Sequence, residues 1–549
     1  MATTEEGRAR VAALHHLSPF ELKDELIRLA RDDSHAKART GQMLNAGRGN
    51  PNWVATTPRE AYLLLGQFAL AESKRVWDEP DLGGMPRAPG SGARLRQFLA
   101  NTPDSPGARL LRRSLDYCVG ELGFDEDGFV LELTDASIGD NYPVPDRMLV
   151  YFERIVHRYL QREMCDDRPP PGRFDLFAVE GGTAAMTYLF QSLLRNGVLH
   201  PGDTIALGTP IFTPYLEIPH LEDFALQTVE IAQSEIGPDG RHRWQYPDAE
   251  LEKLADPRVK AFFLVNPGNP ASFAIRQESI DRLVTLVRTR RPDLILLTDD
   301  VYGTFVPGFR SLAADLPHNT ILVYSYSKYF GCTGWRLGVI ALHEDNVIDA
   351  AIARLPDAER ARLAARYGSL TLHPERISFI DRVVADSRAV ALNHTAGLSL
   401  PQQLQMALFS LFALLDEGDR YKKRCQRIVH DRLQALARGL GLTITPDPLQ
   451  AGYYVDLDLG LFGQRTLGPE FLEYLEQHHD PLDIVLALAR RYGTVLLNGS
   501  GFAGPPWAAR VSLANLEPAS YAQIGEQLRE VFTVAMERWK AAGKKPEEG

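Results

Sequence analysis

Short apolar runs at 176–179, 204–207, 261–265, 294–298, 321–324 and 338–342 alternate with stretches of amphipathic, helical spacing. This alternation is the pattern of a mostly parallel sheet with helices on both faces, an α/β fold. Most of the runs close on Gly, Asn, Asp or Ser. In open sheets of this kind ligands bind beyond the carboxyl ends of the strands, so the residues that follow each run are the first candidates for chemistry.

At 549 residues the chain exceeds what one compact core accommodates, and two or more domains are expected. Ser18 and Pro19 open a helix over 17–31, with apolar Leu22, Leu26, Ile27 and Leu29 and a charged face that holds Lys23. The turn Asn45-Ala-Gly-Arg-Gly-Asn-Pro-Asn-Trp53 denies regular structure and lets the backbone approach a ligand closely. A second helix is expected over 58–77, and the Pro- and Gly-rich segment 79–92 reads as a surface excursion. The charged stretch 345–390 reads as a solvated or intersubunit helical insertion. Past Gln402 a long helix leads into a smaller α/β segment, a C-terminal amphipathic helix and a polar, frayed tail. The expected division is an N-terminal arm over 1–55, which contributes to the small domain and the site, a large domain over 56–400 and a small domain over 401–549.

Composition narrows the function classes. A formal net charge of -11 leaves no basic footprint for nucleic acid. Four scattered cysteines match neither a metal site nor a disulfide framework, so no metal is expected and a reducing cytoplasm is the default. The first residues lack a hydrophobic signal core, and no stretch approaches the ~18 apolar residues that span a bilayer. Small molecules are the expected partners, with no membrane association.

The most informative stretch is Ser325-Tyr-Ser-Lys328-Tyr-Phe-Gly331-Cys-Thr-Gly334-Trp-Arg336-Leu-Gly338, directly after an apolar run. A lysine adds to a carbonyl only when uncharged, and a desolvated pocket with a cationic neighbour favours that state. Arg336 could supply that field while forking onto a phosphate, for which Ser325 and Ser327 are hydroxyl donors. The pattern S-x-S-K-x-x-G-x-x-G-x-R-x-G resembles the lysine motif of aminotransferases of the aspartate-aminotransferase fold. That resemblance implies fold type I, with a large domain built on a seven-stranded-type, mostly parallel sheet, a smaller α/β domain and helical insertions. It also implies pyridoxal 5'-phosphate, held by Lys328 as a Schiff base.

The companions of such a motif are present upstream in order. Gly181-Gly-Thr-Ala-Ala-Met186 opens a helix after a strand, so Gly182 and Thr183 can aim N–H groups at a phosphate. Phe212, at the next strand end, is either the ring that stacks on the pyridine or an ordinary core phenylalanine. Asn266-Pro-Gly-Asn-Pro270 resembles the Asn-Pro turn whose amide contacts the coenzyme's phenolic oxygen, a role given to Asn266. Within Thr298-Asp299-Asp300-Val-Tyr302, the family's Asp-x-x-Tyr spacing selects Asp299 for the pyridine nitrogen, with Tyr302 as companion and Asp300 as the competing register. Arg510, in Arg-Val-Ser-Leu, resembles the small-domain arginine that grips the substrate α-carboxylate.

The chain is longer than a plain aminotransferase of this fold by roughly 150 residues. Leu17-Ser-Pro-Phe-Glu-Leu-Lys-Asp-Glu-Leu26, Leu44-Asn-Ala-Gly-Arg-Gly-Asn-Pro-Asn52 and Asn141-Tyr-Pro-Val-Pro145 resemble the aspartate 4-decarboxylases, also called aspartate β-decarboxylases. The resemblance implies conversion of L-aspartate to L-alanine and carbon dioxide through a ketimine and an enamine, with a secondary aspartate aminotransferase activity toward a 2-oxo acid. It further implies a homo-oligomer built from dimers, up to a dodecamer, and places Lys23, Arg48 and Tyr142 in the site. Arg48 would hold the distal carboxylate, Lys23 would bring charge or a proton near it, and Tyr142 would reach a neighbouring subunit's phosphate. His394 and Thr395, near the end of the insertion, are further candidates for the site. Two rivals stand beside this reading. One is a class I aminotransferase without decarboxylase activity. The other is a regulator with a fused DNA-binding domain, which the acidic N-terminal segment disfavours.

Overall fold

The computed structural model describes residues 13–32, 43–238, 240–389 and 397–543; His394, Thr395 and the tail lie outside them. Seven strands form the main sheet: β1 (Phe174–Val179), β2 (Thr204–Thr209), β3 (Gln227–Ala232), β4 (Val259–Val265), β5 (Ile295–Asp299), β6 (Thr320–Ser325) and β7 (Gly338–His343). Their spatial order is β1-β7-β6-β5-β4-β2-β3. Strands β5, β6 and β7 are buried along their whole length, which is why their sequences read as unbroken apolar runs. Strand β3 was not expected. It lies at the sheet edge, half exposed, and Gln227, Thr228 and Glu230 break its apolar pattern.

β7 alone in this sheet is antiparallel, to β1 and to β6. It therefore starts at the edge where the others end, and Gly338 faces both Val179 and Ser325. Only glycine permits this approach, because a Cβ on Gly338 would stand 2.6 Å from the Gly181 Cα. Arg336, two residues earlier, is thereby delivered beside the Gly181 turn.

A smaller antiparallel sheet joins β8 (Tyr454–Asp458), β9 (Leu497–Asn498) and β10 (Ala508–Ser512), with β10 in the middle. Beside it, Leu44–Asn45 pairs in parallel with Thr494–Val495. The N-terminal helix Pro19–Asp32 buries Leu22 and Leu26 in the core under these strands, with Leu436, Val485, Val511 and Ile524. Such burial is worth about 1.5–3 kcal/mol per leucine, and it fixes the Gly47–Asn50 turn that follows.

The 345–390 segment forms helices Val347–Ala353, Asp357–Tyr367 and Phe379–Ala389. It is not simply solvated, since Ile348, Leu363, Tyr367, Phe379 and Val383 are buried in the main core. Beyond it, Leu400–Leu414 and Arg420–Leu440 are two helices, parted by a turn in which Gly418 has φ 69°. The excursion after the helix Thr56–Val76 carries a small hairpin of Asp78–Glu79 and Leu82–Gly83.

Candidate active site

The carboxyl ends of β1, β2, β4, β5 and β6 and the start of β7 surround a cavity of about 300 Å³, closed on the far side by β8, β10 and the Gly49–Asn50 turn. Lys328 lies in the turn after β6, and its Nζ donates to the Gly49 carbonyl at 3.1 Å. The same carbonyl accepts from Tyr453 Oη at 2.8 Å. Ser325 and Ser327 line the cavity beside Lys328 and share a 3.0 Å hydrogen bond.

At the mouth, Gly182 and Thr183 begin the helix Gly182–Arg195, whose first N–H groups have no partner within the helix. Arg336 Nη1 donates to Thr333 O at 2.9 Å and Nη2 to Glu180 O at 3.2 Å, which holds the guanidinium at that helix start. Gly181 has φ 93°, and a Cβ there would collide with the Arg336 guanidinium. Glycine is thus required for the arginine to reach the turn.

Asp299, at the end of β5, is buried and lines the cavity. Tyr215 Oη donates to its Oδ2 at 2.7 Å and the Val301 N–H to its Oδ1 at 3.2 Å. Burial pushes this carboxyl above its usual range, against the pull of Tyr215, Val301 and Lys328. Asp300 points elsewhere, onto Thr298 and Ser311, and is absent from the lining. Phe212 lines the cavity edge-on to Tyr215, with ring centroids 5.4 Å apart. Tyr302 also lines it and donates to Tyr454 Oη at 3.2 Å.

Arg510, in the middle of β10, is 2% exposed. Its Nη1 donates to Asn269 Oδ1 at 3.2 Å and its Nη2 to Gly47 O at 3.0 Å, while its buried Nε has no partner among the described residues. The guanidinium lies between two rings, 4.4 Å from the Tyr454 centroid and 4.8 Å from that of Phe502. A buried arginine with an unused donor is suited to a carboxylate.

The remaining sequence-predicted residues are not brought to the cavity. Asn266 is absent from its lining, its Oδ1 accepting the Ile275 N–H at 3.0 Å, and Asn269, the second asparagine of the same turn, occupies the lining instead. Nothing local separates two Asn-Pro pairs three residues apart. Arg48 is exposed, although its neighbours Gly47 and Gly49 offer carbonyls to Arg510 and Lys328. Lys23 lies 3.4 Å from Asp24, outside the lining, and Tyr142 is 77% exposed. Tyr215 and Tyr454 were missed, because nothing in their immediate sequence marks them as site residues, and Asn269 because the neighbouring Asn266-Pro pair looks the same.

The residues fit pyridoxal phosphate. Arg336, two serines and a helix start offer donors for a phosphate at one end, and Asp299, a buried carboxyl without an ion-pair partner among the described residues, faces the middle, where a ring nitrogen would complement it. Among the described residues there is no His, Cys, Asp and Glu cluster that could hold a metal, and no helix is long and apolar enough to cross a membrane.

Residues 177–523 match the family model for aminotransferase class I and II. The chain is 49% identical over 534 residues to a bifunctional aspartate aminotransferase and L-aspartate beta-decarboxylase of Pseudomonas sp, covering 97% of this chain and 99% of that one. It is 29% identical over 171 residues to an aspartate aminotransferase of Rhizobium meliloti (strain 1021), covering 30% and 39% of the two chains. In structure it is similar to the aspartate aminotransferase from Rhizobium meliloti, with TM-score 0.58 and 17% identity over 94% of this chain and 96% of that chain. It is similar too to the N-succinyldiaminopimelate aminotransferase from Mycobacterium tuberculosis, with TM-score 0.56 and 17% identity over 97% of this chain and 100% of that chain. These likenesses show the fold type I architecture.

Proposed function

The chain belongs to the class I and II aminotransferases, as a full-length relative of the bifunctional aspartate aminotransferase and L-aspartate β-decarboxylase, and we propose that it carries both activities with pyridoxal 5'-phosphate. L-Aspartate and a proton give L-alanine and carbon dioxide; in the side reaction the amino group passes to a 2-oxo acid. The carrying observation is the convergence of Lys328, Asp299 and Arg510 on one cavity in a chain 49% identical to that bifunctional enzyme.

Bound there, pyridoxal phosphate supplies an electron sink for the pair left when a proton or a carboxylate departs. Lys328 would be its covalent anchor, and the Lys328 Nζ would move the proton at the substrate Cα. Asp299 holds a proton at the pyridine nitrogen. Gly182, Thr183, Ser325, Ser327 and Arg336 would bind the phosphate, and Phe212 and Tyr302 would hold the ring. Arg510 fixes the α-carboxylate with two nitrogens. The β-carboxylate leaves as carbon dioxide and a proton enters at Cβ.

The resemblance supports three further assignments: Arg48 at the distal carboxylate, Lys23 beside it, and Tyr142 offered to the site of a neighbouring subunit. Its 77% exposure is consistent with that last role. On this reading the working unit is a dimer, larger homo-oligomers are built from it, and the enzyme is cytoplasmic. On the same reading the chain divides into a large domain over 56–400 and a small domain over 401–549 joined by the 1–55 arm, with Leu404, Leu408 and Leu411 of the helix Leu400–Leu414 buried in the main core.

The test incubates the purified protein with pyridoxal phosphate and L-aspartate, following carbon dioxide, alanine and oxaloacetate, with Lys328→Ala as control. Equal amounts of carbon dioxide and alanine, absent in the variant, support the decarboxylase. Amino transfer without carbon dioxide would leave an aminotransferase alone.

A further inference from the structure

Tyr454 belongs to no recognisable local motif, yet its side chain meets both ends of the cavity. On the cofactor side its Oη accepts from Tyr302 Oη at 3.2 Å. The point where a Cβ on Gly49 would stand lies 2.9 Å from Tyr454 Oη and 3.0 Å from Lys328 Nζ, so the two polar atoms converge over one glycine. On the substrate side its ring is the platform for Arg510, whose Cζ lies 4.4 Å from the ring centroid. A phenylalanine would fill the same space and seat the same guanidinium. The buried hydroxyl therefore needs its own explanation, because an oxygen taken out of water costs free energy unless polar partners repay it.

We propose that Tyr454 is a positioning residue that couples the two ends of this site, its ring seating Arg510 for the substrate carboxylate and its hydroxyl orienting Tyr302 and favouring a proton at Lys328. The electrostatics agree with the geometry. Burial alone would push the Tyr454 hydroxyl up, but Lys328 and Arg510, with the hydrogen bond from Tyr302, hold it below the usual tyrosine range, while Tyr302 is driven well above it. The other titratable group packed against it is Tyr453, edge-on with ring centroids 5.1 Å apart. Because the hydroxyl and the ring do different work, the two effects are separable by substitution. This inference rests on the reading of the cavity as the site for pyridoxal phosphate and a dicarboxylate.

The test compares wild type, Tyr454→Phe and Tyr454→Leu as holoenzymes, reading the pH midpoint of the bound cofactor's visible absorbance and the dissociation constant of maleate. Tyr454→Phe keeps the ring and should bind maleate within about twofold of wild type, but its absorbance midpoint should fall by about one pH unit, since a partner that favours the proton is lost. Tyr454→Leu should show the same spectral shift and weaken maleate about tenfold, the loss expected of a desolvated cation–π contact. In the cofactor-free protein, an ultraviolet titration of tyrosinate should show one early-ionising tyrosine that both variants lack. An unmoved midpoint in Tyr454→Phe overturns the role of the hydroxyl, and equal maleate weakening in both variants overturns the role of the ring. If Tyr454→Leu fails to fold, the Tyr454→Phe spectra decide. A wild type that binds neither cofactor nor maleate sinks the proposed function itself, whereas one that binds both beside unaltered variants sinks only this inference.

Discussion

Asp456 stands directly opposite Arg510 in the antiparallel pairing of β8 with β10, and neither of its carboxylate oxygens has a hydrogen-bond partner among the described residues. Burial and the charge of Asp458 push this carboxyl up to about 7, against the pull of Arg510. The folded chain thus keeps a proton that an unfolded carboxyl, with a pKa of about 3.9, has already lost. Its contribution to stability is complete below about pH 4 and disappears as pH rises through about 7. Asp456→Asn removes this dependence and should stabilise the protein at pH 8 relative to wild type, by up to about 4 kcal/mol. Thermal unfolding of both proteins at pH 5 and pH 8 checks it; an identical pH response would contradict the assignment.

Asp299 and Asp300 are adjacent in sequence but opposite in role. Asp299→Asn should lower kcat about 10²-fold or more, because a charge facing the reacting system is lost. Asp300→Asn should leave kcat within about threefold while altering stability, since its partners Thr298 and Ser311 belong to the protein interior. Steady-state kinetics on the two variants decide the register. Equal losses would mean that the orientation of the pair has been misread.

The two asparagines of the Asn266–Pro270 turn should separate in the same way. Asn269 accepts from Arg510 at 3.2 Å, so Asn269→Ala should raise KM for aspartate about tenfold, the value of a hydrogen bond to a charged group. Asn266 accepts the Ile275 N–H, and Asn266→Ala should cost about 1–3 kcal/mol in urea unfolding with a smaller effect on KM. A larger KM change at 266 than at 269 would reverse the assignment.

Asp386 anchors the 345–390 segment. It is 1% exposed and accepts from Ser192 Oγ at 2.9 Å, Arg366 Nη2 at 2.7 Å and Tyr367 Oη at 3.0 Å. Asp386→Ala strands these donors and should destabilise the protein by about 3–5 kcal/mol. None of the four residues lines the cavity, so KM for aspartate should not move. Chemical denaturation beside kinetics at low temperature tests both halves, and a stable variant would show that the network carries little.

Legibility followed locality. Lys328, Ser325, Ser327 and Arg336 were readable because a strand, its turn and an antiparallel return fall within a few residues, and spacing alone then specifies geometry. Strand β3 was missed because an edge strand needs apolar residues on fewer positions. Asn269 was missed because two equivalent Asn-Pro pairs share a turn, and only the position of Arg510 distinguishes them.

By itself the sequence determined the alternating α/β fold and the lysine turn, since both depend on periodicity and on contacts between near neighbours. The substrate side was decided by tertiary structure. Gly49 meets Lys328 across 279 positions, and Gly47 meets Arg510 across 463. Those meetings depend on the apolar face of the helix Pro19–Asp32 entering the small core, so that packing sets them and spacing along the chain does not.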